Sequence, residues 1–401
     1  MSDASQPRVS IANIFCAFLR LGCHAFGGPT AHFGYFHEEF VKRRRWIDEA
    51  EYADTVALCQ FLPGPSSSQT GFAIGLKQGG LVGAFLAWVG FTLPSAVLMI
   101  AFAVGLTHIG NLANAGWVVG LKLTAVAVVA NAGWNMAAKL CPDRNRATLA
   151  AAVLVFLLLV SNPLMQLLAI LAGCMVGMLF FRSHVETVSP NSDLSTSGSR
   201  RLGAIYLAAF ALLLIGLPIA ATFANAPDSF AFADAFYRAG SLVFGGGHVV
   251  LPLLESYTVQ NGWIDESSFL AGYGAAQALP GPLFAFSAFL GAAVENGPTG
   301  VLGGVFALVM IYVPSWLLVL GAMPFWNRLR QVHLARAALI GANAAVVGLL
   351  FAALYQPIWT SSITGVIPLA FALAAFVAIK FWKVPPWLVV LVSAGIGQLV
   401  F

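Results

Sequence analysis

Residues 60–71 read QFLPGPSSSQTG, and residues 277–288 read QALPGPLFAFSA. Proline removes a backbone donor and glycine adds backbone freedom, so Leu-Pro-Gly-Pro ends any helix that it interrupts. The same break occurs twice in a chain built for lipid. Of its 401 residues, 59% are hydrophobic and 9% charged, where ordinary soluble domains carry roughly a quarter charged residues. Apolar stretches near the length of about 20 residues that crosses a bilayer recur at 81–106, 118–138, 149–181 with a turn at Pro163, 202–223, 302–323, 337–354, 363–380 and 387–401. Helices and closed barrels alone satisfy their backbone groups in lipid, and segments of this length predict an all-α polytopic membrane protein.

The breaks belong to an internal duplication. FLRLGCHAFGG (18–28) is echoed by FYRAGSLVFGG (236–246), and Trp46-Ile47-Asp48 by Trp263-Ile264-Asp265. Gln60 with Leu-Pro-Gly-Pro matches Gln277 with its own copy, Pro94-Ser95 matches Pro314-Ser315, and Ala127-Val128-Val129 matches Ala345-Val346-Val347. The chain therefore divides into a polar N-terminus (1–10), a first repeat (11–181), a linker (182–201), a connecting transmembrane helix (202–223) and a second repeat (234–401). The linker is rich in Ser, Thr, Asn and Pro and reads as solvated. The start, MSDASQPRVS, is polar and is followed by no signal-peptide pattern, so the first apolar segment is expected to stay in the protein.

Lys and Arg in short loops favour the cytoplasmic side. Lys42-Arg43-Arg44-Arg45 follows the first segment of half one, whereas the counterpart in half two has no basic residue; later, Arg328, Arg330 and Arg336 in half two face a counterpart without Lys or Arg. Swapped basic loops predict two inverted-topology repeats, a common plan in secondary transporters. The count of crossings closes only if one segment per half fails to cross. The segment with Leu-Pro-Gly-Pro is the candidate, re-entrant or broken.

A helix restarting after Pro65 would aim its free N–H groups and positive dipole end into the membrane interior. Ser66, Ser67, Ser68, Gln69 and Thr70 follow, five neutral donors suited to an oxyanion; the bland alternative is that they cap the helix and let neighbours pack closely. The second copy has Ser287 as its only hydroxyl. Pro63, Gly64 and Pro65, and Pro280, Gly281 and Pro282, form the breaks; Gly27, Gly28 and Pro29, and Gly245, Gly246 and Gly247, predict kinks. Arg20 and Arg238 lie upstream of those kinks, either as charge complements of a dianion or paired with carboxylates such as Glu39 and Glu255. Gln60 and Gln277 are polar orienters before each break, and His24, His32 and His248 beside the kinks, with Glu39 and Glu255, are candidates for proton coupling. Asp48 and Asp265 have the spacing of helix caps. Five irregularly spaced cysteines indicate neither a disulfide framework nor a zinc site. The sequence has no phosphate-binding loop, metal-ligand cluster or nucleophile constellation, so neither an enzyme nor a cofactor is expected.

FGGPTAHFGYFHEEFVKRRRWIDEAEYADTVALCQFLPGPSSSQTG, GFTLPSA, FGGGHVVLPLLE, GYGAAQALPGPLFAF and GANAAVVGLL together resemble the two-domain, long-chain chromate ion transporter family. The likeness spans nearly the whole chain except residues 1–10, the linker and the last helix. It implies a bacterial inner-membrane protein that expels chromate and confers chromate resistance, driven by the membrane potential or proton gradient. His24 departs from the Ser or Thr of the family pattern. Chromate and sulfate are both tetrahedral dianions, so an importer or exchanger of sulfate, or a passive anion channel, is the alternative. The partners implied are the anion and the lipid bilayer, with no nucleic acid; a homodimer is left open.

Overall fold

The computed structural model describes residues 9–109, 115–160, 163–182, 199–223, 228–244, 246–294 and 297–401, and among these every regular element is helical. In half one the order is α1 (Ile11–His24), α2 (Gly28–Phe36) running into a π turn (His37–Arg43), α3 (Glu49–Phe61), α4 (Ser66–Ile109), α5 (Gly116–Leu140), α6 (Arg144–Leu159) and α7 (Pro163–Phe180). After α8 (Arg200–Ala221) come α9 (Asp228–Ser241), α10 (Val250–Thr258), α11 (Glu266–Ala276), α12 (Phe286–Ala293), α13 (Gly300–Ala322), α14 (Trp326–Leu329), α15 (His333–Ala353), α16 (Thr360–Ser362), α17 (Val366–Lys380) and α18 (Pro386–Val400). Asp48 caps α3, its side chain accepting from Glu51 N at 2.8 Å, and Asp265 caps α11 through Ser268 N at 2.9 Å. The spacing of the two Trp-Ile-Asp copies predicts both caps, each worth about 1 kcal/mol.

Helix α4 is two limbs joined by a reversal. Gly79 and Gly80 leave helical geometry, and a Cβ placed on Gly75 would lie 2.5 Å from the Gly83 carbonyl and 2.7 Å from Ala87, so residues 66–78 run back beside residues 81–109. The first limb also runs back along α3. Lys77 near its end pairs with Glu51 in the first turn of α3, and Gln78 Nε2 donates to the Trp46 carbonyl at 2.6 Å. Leu62–Pro65 is thus the tip of a helical hairpin whose two legs return to one end of the molecule. The second half repeats the arrangement, Phe269 and Tyr273 of α11 meeting Phe286 of α12 at 5.2 and 5.7 Å between ring centroids. Neither hairpin leg is long enough to cross a bilayer: α3 has 13 residues, or roughly 20 Å at 1.5 Å per residue.

Among the described residues, helices long and apolar enough to cross include α5, α8 and the segments 300–329 and 333–362, while α4 qualifies through its second limb. The apolar window of α8 has none of its residues buried, with Leu212 and Ile215 openly exposed, a face that suits lipid. Packing crosses between the halves: α5 lies against α17 and α18, and α15 against α6 and α7. Glycines make this close approach feasible. A Cβ on Gly116 would sit 2.5 Å from the Gly397 carbonyl, and one on Gly173 2.8 Å from the Gly341 carbonyl. Linker residues 183–198 lie outside the described residues, and Arg200 and Arg201 already belong to α8.

Candidate functional site

The two tips meet the two kinks. Gly64 N–H donates to the Val243 carbonyl at 2.7 Å, and Gly281 N–H donates to the Ala25 carbonyl at 2.9 Å. Val243 and Ala25 are equivalent residues of the two repeats, each just before its glycine kink. Every tip is therefore pinned to the kink of the opposite half. Both glycines sit in the left-handed region, at φ 120° and 93°, where a Cβ is strained. A Cβ on Gly64 would also lie 2.6 Å from Ser315 Oγ, and one on Gly281 3.0 Å from Ser95 Oγ. Ser95 and Ser315 follow the matched prolines of α4 and α13, so the exchange is symmetric down to the residue that lines each tip.

The hydroxyl run opens the first limb of α4, where the initial N–H groups of a helix have no intrahelical acceptor. Ser66 is half-buried and Ser67, Ser68, Gln69 and Thr70 are buried. Ser67 Oγ lies 3.2 Å from His32 Nδ1, and His32 Nε2 lies 3.1 Å from the Ala25 carbonyl. A carbonyl only accepts, so Nε2 carries a proton; in the neutral ring Nδ1 then accepts from the Ser67 hydroxyl. Ser68 Oγ lies 3.3 Å from Tyr312 Oη on α13. Gln69 Nε2 donates to the Pro63 carbonyl at 2.7 Å, tying the tip closed, and Thr70 donates to the Ser66 carbonyl at 2.9 Å. The second tip is apolar: Leu283, Phe284, Ala285 and Phe286 occupy the corresponding turn, and Ser287 bonds within it to the Phe284 carbonyl.

The kinks have the expected form where they are described. Helix α1 ends at His24, and Gly27, Gly28 and Pro29 begin α2. Gly246 and Gly247 open the corresponding turn of half two, while Gly245 lies outside the described residues. A Cβ on Gly247 would lie 3.7 Å from Pro29 and 3.9 Å from Leu283, so the two kinks touch beside the second tip.

Other sequence-selected residues fall farther out. Arg20 and Gln60 are exposed. Arg238 is half-buried, pairs with Asp234 one turn earlier and lies 5.1 Å from the Tyr257 ring centroid; its carboxylate partner is thus Asp234 rather than Glu255. Glu39 pairs with Arg43 at 3.0 Å and Arg44 at 2.6 Å. Burial raises its carboxyl, but those two guanidinium groups outweigh burial and hold it below the ordinary carboxylate value. Glu255, on α10 outside the apolar spans, accepts from Gln260 at 3.2 Å, and burial pushes it up to about 7. His24 is exposed and bonded to the Arg20 carbonyl. His248 Nδ1 lies 2.8 Å from Tyr273 Oη. Gln277 is half-buried, with its Nε2 unpartnered among the described residues. The sequence reading misses Tyr312, Ser315 and Asp234, because their importance comes from contact across the repeats or from one helical turn. The Pro-Ser pair was the one available signal.

The chromate transporter family matches this chain twice, over residues 12–178 and 230–398. An uncharacterized transporter of Methanocaldococcus jannaschii is 27% identical over 358 residues, covering 88% of this chain and 85% of its own length. A chromate transport protein of Pseudomonas aeruginosa is 28% identical over 355 residues, covering 87% of this chain and 81% of its own length. One of Cupriavidus metallidurans is 26% identical over 404 residues, covering 99% and 95%. No solved structure matches the chain.

Proposed function

The chain belongs to the chromate transporter family, and from that premise we propose that it is a secondary active transporter exporting chromate across the bacterial inner membrane. Its role is then chromate resistance, driven by the membrane potential or the proton gradient. The observation that carries the reading is the hairpin tip at residues 62–65, followed at once by a buried run of neutral donors. Free N–H groups, hydroxyls and a helix dipole hold an oxyanion without burying a full opposite charge. Such a site binds moderately, which a transporter needs because its cargo must also leave.

The two repeats lie in opposite orientation in this reading, as the swapped basic loops suggest. Arg330 supports the sidedness: it pairs at 3.5 Å with Asp54, midway along α3, the hairpin leg that follows Lys42–Arg45. Alternating access consists of one half moving against the other, with the tip-to-kink bonds breaking and re-forming. His32 supplies a route to proton coupling. Protonation at Nδ1 turns its contact with Ser67 round, so that the serine accepts and its own proton becomes free for the anion. Arg20 and Arg238 provide positive charge on the approach, with Gln60 and Gln277 ahead of each break.

Labelled chromate in sealed vesicles, under separately imposed pH and voltage gradients and with sulfate as competitor, tests this. The expected result is chromate movement beyond its own gradient, outward with respect to the cytoplasmic face. Altered sulfate uptake beside unchanged chromate content contradicts export, and flux that never exceeds the electrochemical gradient indicates a channel.

A further inference from the structure

The seam between α4 and α13 gathers buried polar atoms that no described residue satisfies. They are Gln69 Oε1, Trp88 Nε1, Ser315 Oγ and Trp316 Nε1, and Thr92 Oγ1 beside them faces the Tyr312 hydroxyl. Their side chains form one neighbourhood. The Trp88 and Trp316 rings meet edge to face at 4.6 Å and Trp88 meets Tyr312 at 5.4 Å, while Tyr312 Oη reaches Ser68. Ser315 Oγ and Gln69 both flank the tip glycine Gly64. Three of those four unmet groups can donate, and an indole N–H can do nothing else. A buried donor without an acceptor is disfavoured, and here several unmet donors stand beside the hydroxyl run with no charged side chain among them.

The corresponding seam of the other half lacks this feature. By the offsets of the matched motifs, Phe286 stands for Gln69, Leu308 for Trp88 and Ala96 for Trp316, and Ser95, the counterpart of Ser315, donates to the Thr92 carbonyl at 3.0 Å. A purely structural need of the fold would be felt in both halves. Among the described residues, unmet donors line the helix seam only on the side that carries Ser66 to Ser68; near the second tip the unpartnered donor is Gln277 Nε2, which lies ahead of the break.

We infer that this seam completes the oxyanion site, with Trp88, Thr92, Ser315 and Trp316 as specificity-determining donors to the same tetrahedral anion that the Ser66–Ser68 turn receives. The inference rests on the anion-binding reading of the first tip. The ligand class is a tetrahedral oxyanion, held between the hydroxyl-lined turn and second limb of α4, which carries Trp88 and Thr92, and α13 of the other repeat, which carries Ser315 and Trp316. Gln69 Oε1, an acceptor, is left for a water or a protonated oxygen of the anion.

The test is labelled chromate transport by the full chain in proteoliposomes, with Trp88→Phe and Trp316→Phe, which keep an aromatic ring and delete the donor. Thr92→Val and Ser315→Ala carry the same expectation if either tryptophan variant fails to fold. Each should raise KM, roughly tenfold for the loss of one donor to a charged ligand, with little change in maximal rate, and molybdate competition should weaken in parallel. A lower maximal rate at native KM shows a packing role and overturns the inference. Native KM in these variants beside a raised KM in Ser67→Ala and Ser68→Ala overturns the seam while leaving the tip reading intact. Native KM in all of them overturns both.

Discussion

Gly64 and Gly281 show how single positions carry the architecture. Each combines a left-handed backbone with a serine of the opposite half where a Cβ would go. Gly64→Ala and Gly281→Ala should each destabilise the folded protein by about 1–3 kcal/mol and depress transport, read as a lower melting temperature in detergent and a lower flux; native values for either would contradict the tip geometry. Glu255 makes a pH prediction. Its carboxyl is raised from 4.5 to about 7 by burial, so the unfolded chain ionises first and the folded state loses stability as pH climbs through that window. The loss approaches roughly 3 kcal/mol above neutrality. Glu255→Gln should melt like the native protein near pH 4.5 and progressively above it toward pH 8; a difference independent of pH would contradict this. The residue scale was only partly legible in the sequence. Arg20 stands exposed because Ile14, Ala17, Phe18 and Leu21 form the buried stripe of α1, a periodicity that the sequence contains. Arg238 has a partner in Asp234, whereas the equivalent of Asp234 in half one is Cys16.

At the scale of elements, the hairpins follow from sequence logic: a broken segment that must not cross, with legs too short to do so. What the sequence left hidden is the exchange between repeats, since a backbone bond from Gly64 to Val243 leaves no mark on side-chain identity. The glycine seams are half visible. Gly116 and Gly120 on α5, and Gly173 and Gly177 on α7, have the four-residue spacing that brings membrane helices close, but the sequence does not say that their partners are α18 and α15. Gly120 packs on the Ser393 carbonyl and Gly341 on that of Gly173. Gly120→Val and Gly341→Val should therefore cost about 3 kcal/mol or more through overpacking and reduce monodisperse protein on size-exclusion chromatography. Normal yield and melting temperature in both would refute the crossed packing.

For the whole molecule, composition alone gives a multi-pass helical membrane protein, and the duplicated motifs mark equivalent parts that the structure then joins pairwise. Sidedness rests on charge. Arg43→Cys and Arg328→Cys, in a background without the five native cysteines, should both react with an impermeant thiol reagent from the cytoplasmic face only; labelling from opposite faces would contradict the proposed topology. The two tips are equivalent in backbone and unequal in chemistry, one lined by hydroxyls and the other by apolar side chains, and this asymmetry locates the proposed anion site. Its most direct measurement is the concentration dependence of labelled chromate entry into proteoliposomes for the native chain and for Ser66→Ala, Ser67→Ala and Ser68→Ala combined. The account predicts saturable entry with KM raised roughly tenfold or more by the triple replacement; an unchanged KM, or entry that never saturates in the native protein, would contradict it.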